Sequence, residues 1–326
     1  MTFPKIIMGD DFSASGTLGE VAKNSTHRDH FTFTIQDFFG KKDLTDEWEG
    51  FSSTTFIPKK ASLELATQSL TLKSTTLAYS NYHQVCQSLI DCLDDTRFQK
   101  AVLATRFDHL FDTQIDPLAI FNKLQKENGL PFLYQVAPSQ ALVGVTPETL
   151  YERKLDQIFS EALASTALNP KDLESKKNTA EFHFVREMIE KAFRELCRTC
   201  DISNPKIKKA GKLYHLNVEF RGTLKSGVTD SEIIEILHPT PAMGGTPRAL
   251  ALDWILNNEP IERGFYSSYF GFLSPTYSRI MVAIRCALIK RNILSAFAGG
   301  GIVKTSDPSL EFTELENKAN LWRHLI

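Results

Sequence analysis

Alternating and helical spacings of apolar residues divide the chain into strands and helices that follow no regular order. Strands are predicted at residues 31–35, 69–72, 100–106, 133–136, 141–145, 149–153, 213–220, 270–272 and 279–289. Helices are predicted at residues 82–95, 118–124, 179–196, 231–237, 248–256 and 311–325. Because these elements mix without a strict βαβ rhythm, we expect a single domain over residues 1–326 of the α/β (α+β) class, and not a doubly wound sheet.

Composition limits the kind of partner that the protein can have. The 326 residues, 42% of them hydrophobic, suffice for a sizeable core. Lys and Arg number 37 against 39 Asp and Glu, so the chain has no overall basic field that would favour nucleic acid or an anionic membrane. The sequence has no apolar signal segment at its start and no apolar run of about 18 residues. We therefore expect a cytoplasmic protein that binds neither nucleic acid nor membrane.

The cysteines leave two interpretations open at one place. The chain has 5 cysteines without a regular framework, which is typical of a reducing compartment. Cys197-Arg198-Thr199-Cys200 could be a metal or redox pair, or two thiols near the end of a helix. The second interpretation is favoured, since no other Cys or His pair accompanies the motif.

Polar and glycine-rich segments interrupt the apolar runs in the last third of the chain. Each places a charge, a hydroxyl or bare backbone where a strand or helix meets a loop, and binding groups are common at such places. The segments are His238-Pro239-Thr240-Pro241-Ala242-Met243-Gly244-Gly245-Thr246-Pro247-Arg248, Arg263-Gly264-Phe265-Tyr266, Arg285, Gly299-Gly300-Gly301 and residues 311–318. Together they predict a site for a small anion.

These motifs resemble those of the chorismate-utilising enzymes, and His238-Pro239-Thr240-Pro241-Ala242 is most similar to the isochorismate synthases of that family. The resemblance covers the core from about residue 81 to the C-terminus, and residues 1–80 are a less typical part of the same domain. It implies two large antiparallel β-sheets packed as a sandwich with surrounding helices. It also implies chorismate as substrate, Mg²⁺ as cofactor and a monomer without a glutaminase subunit.

Three carboxylates are candidate metal ligands. Glu311 and Glu314 are three residues apart on one predicted helix, Glu181 lies on another, and Mg²⁺ prefers such oxygen donors. The resemblance implies that Glu181 and Glu314 bind Mg²⁺, which holds the ring carboxylate of the substrate, and that Glu311 supports them. From the residues alone, all three could be solvated helix carboxylates, with Glu314 paired to Lys318 at i,i+4.

A lysine and a glutamate are candidates for proton transfer. Lys100 begins an apolar strand, where partial desolvation could lower its pKa, or it is simply a solvated lysine at a strand end. Glu148 follows Pro147 and could occupy a turn or an early helix position. The resemblance implies that Lys100 activates the attacking water. It also implies that Glu148 is the general acid for the C4 hydroxyl, a role that requires a carboxyl kept protonated by burial.

The remaining candidates would contact the substrate. Arg285 lies within an apolar run, so its guanidinium needs an internal ion pair or a bound anion. The resemblance implies that Arg285 and Tyr266 bind the enolpyruvyl carboxylate. His215 is either a residue beside the substrate ring or a core histidine with a backbone partner. The other implied substrate contacts are Thr166, Ala242, Gly299, Gly301 and Lys318.

One position bears on the product, and several others depart from the family pattern. Ala242 stands where ammonia users and salicylate synthases have threonine, which favours water as nucleophile and isochorismate as product, a precursor for menaquinone, siderophores or salicylate. A salicylate synthase and a non-catalytic binding protein of the same fold are the alternatives. The departures are Ser165 for a glycine, Asn178 for an acidic residue, Phe182 for a histidine and Ser267-Ser268 for Ala-Gly.

Overall fold

The computed structural model describes residues 5–8, 12–15, 31–35, 38, 53–56, 68–94, 96–210 and 213–325. The strands in these residues are β1 Lys5–Met8, β2 Phe12–Ser15, β3 Phe31–Ile35, β4 Ser53–Phe56, β5 Leu72–Leu77, β6 Lys100–Phe111, β7 Leu130–Ala137, β8 Gln140–Thr146, β9 Thr149–Lys154, β10 Gln157–Ala167, β11 Cys197–Ile202, β12 Lys206–Ala210, β13 Leu213–Leu224, β14 Gly245–Thr246, β15 Tyr269–Leu273, β16 Tyr277–Val282, β17 Cys286–Lys290 and β18 Ile293–Val303. The helices are α1 Tyr82–Cys92, α2 Pro117–Leu124, α3 Lys176–Leu196, α4 Asp230–Leu237, α5 Arg248–Asn258 and α6 Pro308–Leu325, and a short 3-10 helix spans Pro170–Glu174.

The described strands form two 9-stranded antiparallel sheets, here called sheet A and sheet B. Sheet A has the order β14-β6-β18-β17-β8-β7-β1-β2, with β5 also paired to β6. Sheet B has the order β11-β13-β10-β9-β16-β15-β3-β4, with β12 also paired to β13. The predicted fold class is confirmed.

The inner faces of the two sheets pack against each other. Phe132 of sheet A and Phe270 of sheet B approach to 4.3 Å between ring centroids, in an apolar cluster that draws on both sheets. The alternate residues of β7 and β8 face outward, where α2 and α6 cover them with Phe121 and Trp322. On sheet B, α3 packs on β10 and β13. The sandwich with surrounding helices is therefore confirmed.

The start of α3 differs slightly from its prediction. The sequence predicts a start at residue 179, whereas Ser175 caps the helix by accepting a hydrogen bond from the backbone N–H of Asn178. The first turn therefore includes Lys177, one turn before Glu181. None of the helices that the structure describes combines the length and the apolar character needed to cross a membrane.

The single strand predicted at residues 279–289 is wrong. The chain forms β16 in sheet B, leaves it after Val282 and enters sheet A as β17 at Cys286. Arg285 lies between them with a positive φ of 47°. The apolar run is continuous because the crossing passes through the core, so periodicity gives no sign of the break. The strand predicted at residues 69–72 is also displaced, since β5 begins at Leu72.

The buried ion pair of Glu259 and Arg263 connects the end of α5 to sheet A through hydrogen bonds. The side chains of Glu259 and Arg263 have 0% exposure and approach to 2.6 Å. Arg263 also donates hydrogen bonds of 2.8 Å to the carbonyls of Val102 and Met243, and Glu259 accepts one of 2.8 Å from the backbone N–H of Ala104. The pair thus joins three separate segments through groups that have no access to water.

We expect Glu259→Ala to lower the free energy of unfolding by about 3–5 kcal/mol, because Arg263 would remain buried without its counter-charge. Urea denaturation measures the change. The matched control is Glu190→Ala, which removes another i,i+4 Glu–Arg contact, to Arg194 on the solvent side of α3. The control should leave the midpoint unchanged, and equal losses in both variants would contradict the assignment.

Candidate active site

An open cavity lies between the two sheets. Its volume is about 830 Å³, including the space at its open mouth. Most of the predicted site residues line it, namely Lys100, Glu148, Glu181, His215, Ala242, Tyr266, Arg285, Gly299, Gly301, Glu314 and Lys318. Glu311 is not part of the lining and is buried beside it on α6. Thr166 belongs to β10, and its side chain lies outside the described part of the structure.

Two neighbouring segments in which the chain crosses between the sheets form one wall of the cavity. β8 passes into β9 through Pro147-Glu148, and β16 passes into β17 through the segment that contains Arg285. The Thr146 hydroxyl donates a hydrogen bond of 2.7 Å to the carbonyl of Val282, whose N–H donates one of 3.2 Å to the carbonyl of Glu148. The paired crossings therefore bring Glu148 and Arg285 to the same cavity.

Glu148 is held in its protonated form by its surroundings. The residue is 3% exposed and lies between β8 and β9, so the early helix position that the sequence left open for it is wrong. Burial raises its pKa to about 8, with help from the charge of Glu161 and against the opposing charges of Lys208 and Lys100. A carboxyl with this pKa can donate a proton near neutral pH.

Lys100 is buried and paired, so the interpretation of a solvated lysine at a strand end is wrong. Its ammonium lies 3.0 Å from Glu181 Oε1, and its side chain is 1% exposed. The contact requires a glycine at position 301. A Cβ there would lie 1.6 Å from Glu181 Oε1 and 2.6 Å from Lys100 Cε.

The carboxylates of α6 surround a lysine that the sequence analysis did not select. The Lys177 ammonium lies 2.6 Å from Glu311 Oε1 and 3.4 Å from Glu314 Oε2. Burial opposes its charge, but Glu314, Glu181 and Glu311 together raise the pKa of Lys177. The position of Lys177, one helical turn before Glu181, is the sequence signal that could have identified it.

Glu181, Glu311 and Glu314 differ in exposure, and the pKa values of Glu311 and Glu314 are shifted in opposite directions. Glu181 and Glu311 are buried, so the interpretation of solvated helix carboxylates is wrong for them, while Glu314 has the expected ion pair with Lys318 at 2.8 Å. Burial opposes ionisation of Glu314, but Lys318 and Lys177 lower its pKa to about 2. Burial raises the pKa of Glu311, and its Oε2 has no hydrogen-bond partner.

Within the described ranges, no three His, Cys, Asp or Glu side chains are grouped so that they could hold a metal ion.

Arg285 and His215 form a polar contact on the wall of the cavity. Burial, reinforced by the charge of Arg285, lowers the pKa of His215 to about 3, so the imidazole is neutral. Its Nδ1 lies 3.0 Å from the carbonyl of Ser165, and its Nε2 lies 3.1 Å from Arg285 Nη2. The geometry assigns the ring proton to Nδ1, which leaves Nε2 to accept from Arg285. His215 thus combines both interpretations, a backbone partner and a place on the cavity wall.

Two of the departures from the family pattern contact each other. Ser165 has a positive φ of 61°, in the region that favours glycine, and its hydroxyl donates a hydrogen bond of 2.5 Å to the carbonyl of Asn178. This bond connects β10 to the first turns of α3 and compensates for part of the backbone strain. Phe182 is buried in the apolar core beside them.

Known proteins are similar in sequence to most of this chain. The chloroplastic isochorismate synthase of Catharanthus roseus is 36% identical over 242 residues, which are 70% of this chain and 42% of that protein. The isochorismate synthase MenF of Haemophilus influenzae is 31% identical over 72% of this chain and 57% of that protein. The chain spans about half the length of these curated relatives.

Solved structures share the fold. The menaquinone-specific isochorismate synthase MenF of Escherichia coli superimposes with a TM-score of 0.85 at 22% identity, covering 99% of this chain and 89% of that one. A family model described as "Chorismate binding enzyme" matches residues 26–325, and it thus reaches well into the part before residue 81. Because this match spans nearly the whole sequence, the chain belongs to the chorismate binding enzyme family.

Proposed function

We propose that the protein is a Mg²⁺-dependent isochorismate synthase, which adds water at C2 of chorismate and releases the C4 hydroxyl. The observation that carries the proposal is the presence of a protonated carboxyl, Glu148, and a buried amine, Lys100, on the walls of one cavity. The names of the relatives support the same reaction.

Cationic and hydroxyl groups on the cavity wall would bind the dicarboxylate substrate. Arg285 and the Tyr266 hydroxyl would bind the enolpyruvyl carboxylate, since a guanidinium can donate two parallel hydrogen bonds to a carboxylate. Lys318 donates a hydrogen bond of 2.8 Å to the carbonyl of Gly299, and the cavity is therefore bordered by an ammonium that is held in place. The backbone of Gly299 and Gly301 lines the same cavity, and the absence of a Cβ there lets the Tyr266 hydroxyl and the Glu181 carboxylate approach it closely.

Two proton transfers account for the reaction. Lys100 would take a proton from the water that attacks C2, once its ammonium, which is paired with Glu181 in this structure, has given up a proton. Glu148 would give its proton to the C4 hydroxyl, which leaves as water while the ring double bond moves. Ala242 on the cavity wall offers no hydroxyl, which favours water over ammonia as nucleophile. The water gained and the water lost balance, as an isomerisation requires.

The carboxylates beside the cavity are of the donor type that a hard cation prefers, although in the described residues they are paired with lysines and are not grouped as a metal site. Glu181, Glu311 and Glu314 supply the oxygen donors that Mg²⁺ prefers, and the unpartnered Oε2 of buried Glu311 is an acceptor without a donor. Bound there, the cation would neutralise the ring carboxylate of chorismate. The positive charges that pair with these carboxylates in the present structure come from Lys100, Lys177 and Lys318.

We expect the purified protein to convert chorismate to isochorismate without releasing pyruvate. Pyruvate is followed with lactate dehydrogenase and NADH, in the presence of Mg²⁺, with and without added isochorismatase. Pyruvate should appear only with isochorismatase. Lys100→Ala and Glu148→Gln should each lower kcat by roughly 100-fold or more, since each removes one proton transfer.

The other outcomes of this assay identify the alternatives. Stoichiometric pyruvate and salicylate from the protein alone would indicate a salicylate synthase. An amine product that requires ammonia would show that Ala242 does not select water, and unchanged chorismate would indicate a binding protein.

Glu314→Gln should weaken Mg²⁺ binding at least roughly tenfold, because the carboxylate is one of the proposed ligands. Calorimetric titration of Mg²⁺ measures this without turnover, and EDTA should also abolish activity that Mg²⁺ then restores. The matched control is Glu316→Gln on the same helix, at a position that does not line the cavity. Equal Mg²⁺ affinity in the wild type and Glu314→Gln would exclude Glu314 as a ligand.

Gly301→Ala should force Glu181 away from Lys100, since the new methyl group would occupy the position of the carboxylate. A buried ammonium left unpaired lowers the free energy of unfolding by about 3 kcal/mol. Urea denaturation and the chorismate assay should both show the loss. Gly300→Ala is the control, because its Cβ would meet Glu311 Oε2 at an ordinary 3.5 Å and should be tolerated. If both variants behave like the wild type, Gly301 has no special role.

A further inference from the structure

A buried carboxylate lies on the face of β10 that points into the cavity. Leu163 and Ser165 line the cavity, and Glu161 is two residues before Leu163 on the same strand. Because side chains two residues apart point to the same side of a strand, Glu161 faces the interior of the sandwich. Its side chain is 5% exposed.

Two donors hold Glu161 in place. Its Oε2 accepts a hydrogen bond of 2.7 Å from the Lys208 ammonium and one of 2.8 Å from the Asn217 side chain. Asn217 is buried on β13, opposite Leu163, and Lys208 lies on β12, opposite His215. Both donors contact the same carboxylate oxygen and fix its position.

Water screens the two charges of the Glu161–Lys208 ion pair to different extents. The Lys208 side chain is 38% exposed, so water screens much of its charge, whereas Glu161 is enclosed by protein. The pair therefore presents a net negative potential to the interior. Burial is the main cause of the raised pKa of Glu148, and the charge of Glu161 is the second cause. The charges of Lys208 and Lys100 lower this pKa, each by less than Glu161 raises it.

The other charged groups on the cavity wall belong to other elements. They are Glu181 of α3, Arg285 at the sheet crossing, and Glu314 and Lys318 of α6, while His215 of β13 is neutral.

We propose that Glu161, fixed by Lys208 and Asn217, is a positioning residue that keeps the proton on Glu148. It does not touch the substrate and acts only through its charge. The inference rests on the proposed role of Glu148 as the acid. In each turnover Glu148 gives up a proton and must regain one, and the fixed negative charge of Glu161 favours the return of that proton.

Glu161→Gln tests the proposal, because glutamine keeps the shape and can offer its amide oxygen to both donors. The carboxyl stretch of Glu148 is followed against pH by infrared difference spectroscopy, with Glu148→Gln as the reference, in protein without substrate. The Glu148 titration should move down by about one pH unit, since removal of a like charge lowers a carboxyl pKa. The alkaline limb of kcat/KM for chorismate, above which the acid has lost its proton, should move down with it.

Lys208→Gln is a second variant. It should fold normally, because the Lys208 side chain is 38% exposed. It removes a positive charge, so the Glu148 titration should move up. The matched control is Glu219→Gln on β13, which lies opposite Glu161 in the sheet but whose carboxylate pairs with Lys206 of β12 and with Arg221. It should leave the titration and the pH profile unchanged.

The spectroscopic and kinetic results separate two failures. A Glu148 titration that stays in place in both Glu161→Gln and Lys208→Gln overturns the inference, even if chorismate is consumed. A shifted titration in a protein that leaves chorismate unchanged would refute the proposed function while the effect of Glu161 on Glu148 stands. A lower rate in Glu161→Gln without any movement of the pH profile would reveal a merely structural role.

Discussion

The site depends on two adjacent places where the chain leaves one sheet and enters the other. Buried backbone N–H and C=O groups outside regular strands still need hydrogen-bond partners. Here the two crossing segments supply these partners to each other. Thr146 donates to the carbonyl of Val282, and Val282 donates to the carbonyl of Glu148. This mutual hydrogen bonding fixes Glu148 and Arg285 on one wall, each in the short segment that connects a strand of one sheet to a strand of the other.

Charge balance explains the rest of the cavity. Lys100, Lys177 and Lys318 are each paired with a carboxylate, since a buried charge without a partner would be strongly unfavourable. Glu148 is the exception, and it remains neutral because burial and a nearby carboxylate both favour the proton. One protonated acid among ion-paired groups is the electrostatic arrangement that acid–base catalysis requires.

Glycine and serine determine how closely the elements approach. Gly301 lets α3 bring Glu181 against Lys100, a contact that any Cβ would block. Ser165 occupies a left-handed position where the family usually has glycine, and its hydroxyl compensates by bonding to the Asn178 carbonyl. The unusual residues at positions 165 and 178 thus form one local contact that joins β10 to α3.

The sequence by itself determined all six described helices and ten of the 18 described strands, because apolar periodicity reports which face of an element is buried, but it missed β10 and β18 among others. Its motifs also indicated the family and 11 of the 22 residues that line the cavity, including all the charged ones. Only the tertiary structure decided that residues 279–289 divide between two sheets, since a crossing inside the core is as apolar as a strand. It also decided the partners of Lys100 and the effect of Glu161 on Glu148, because burial and the distances between charges arise when separate segments pack together.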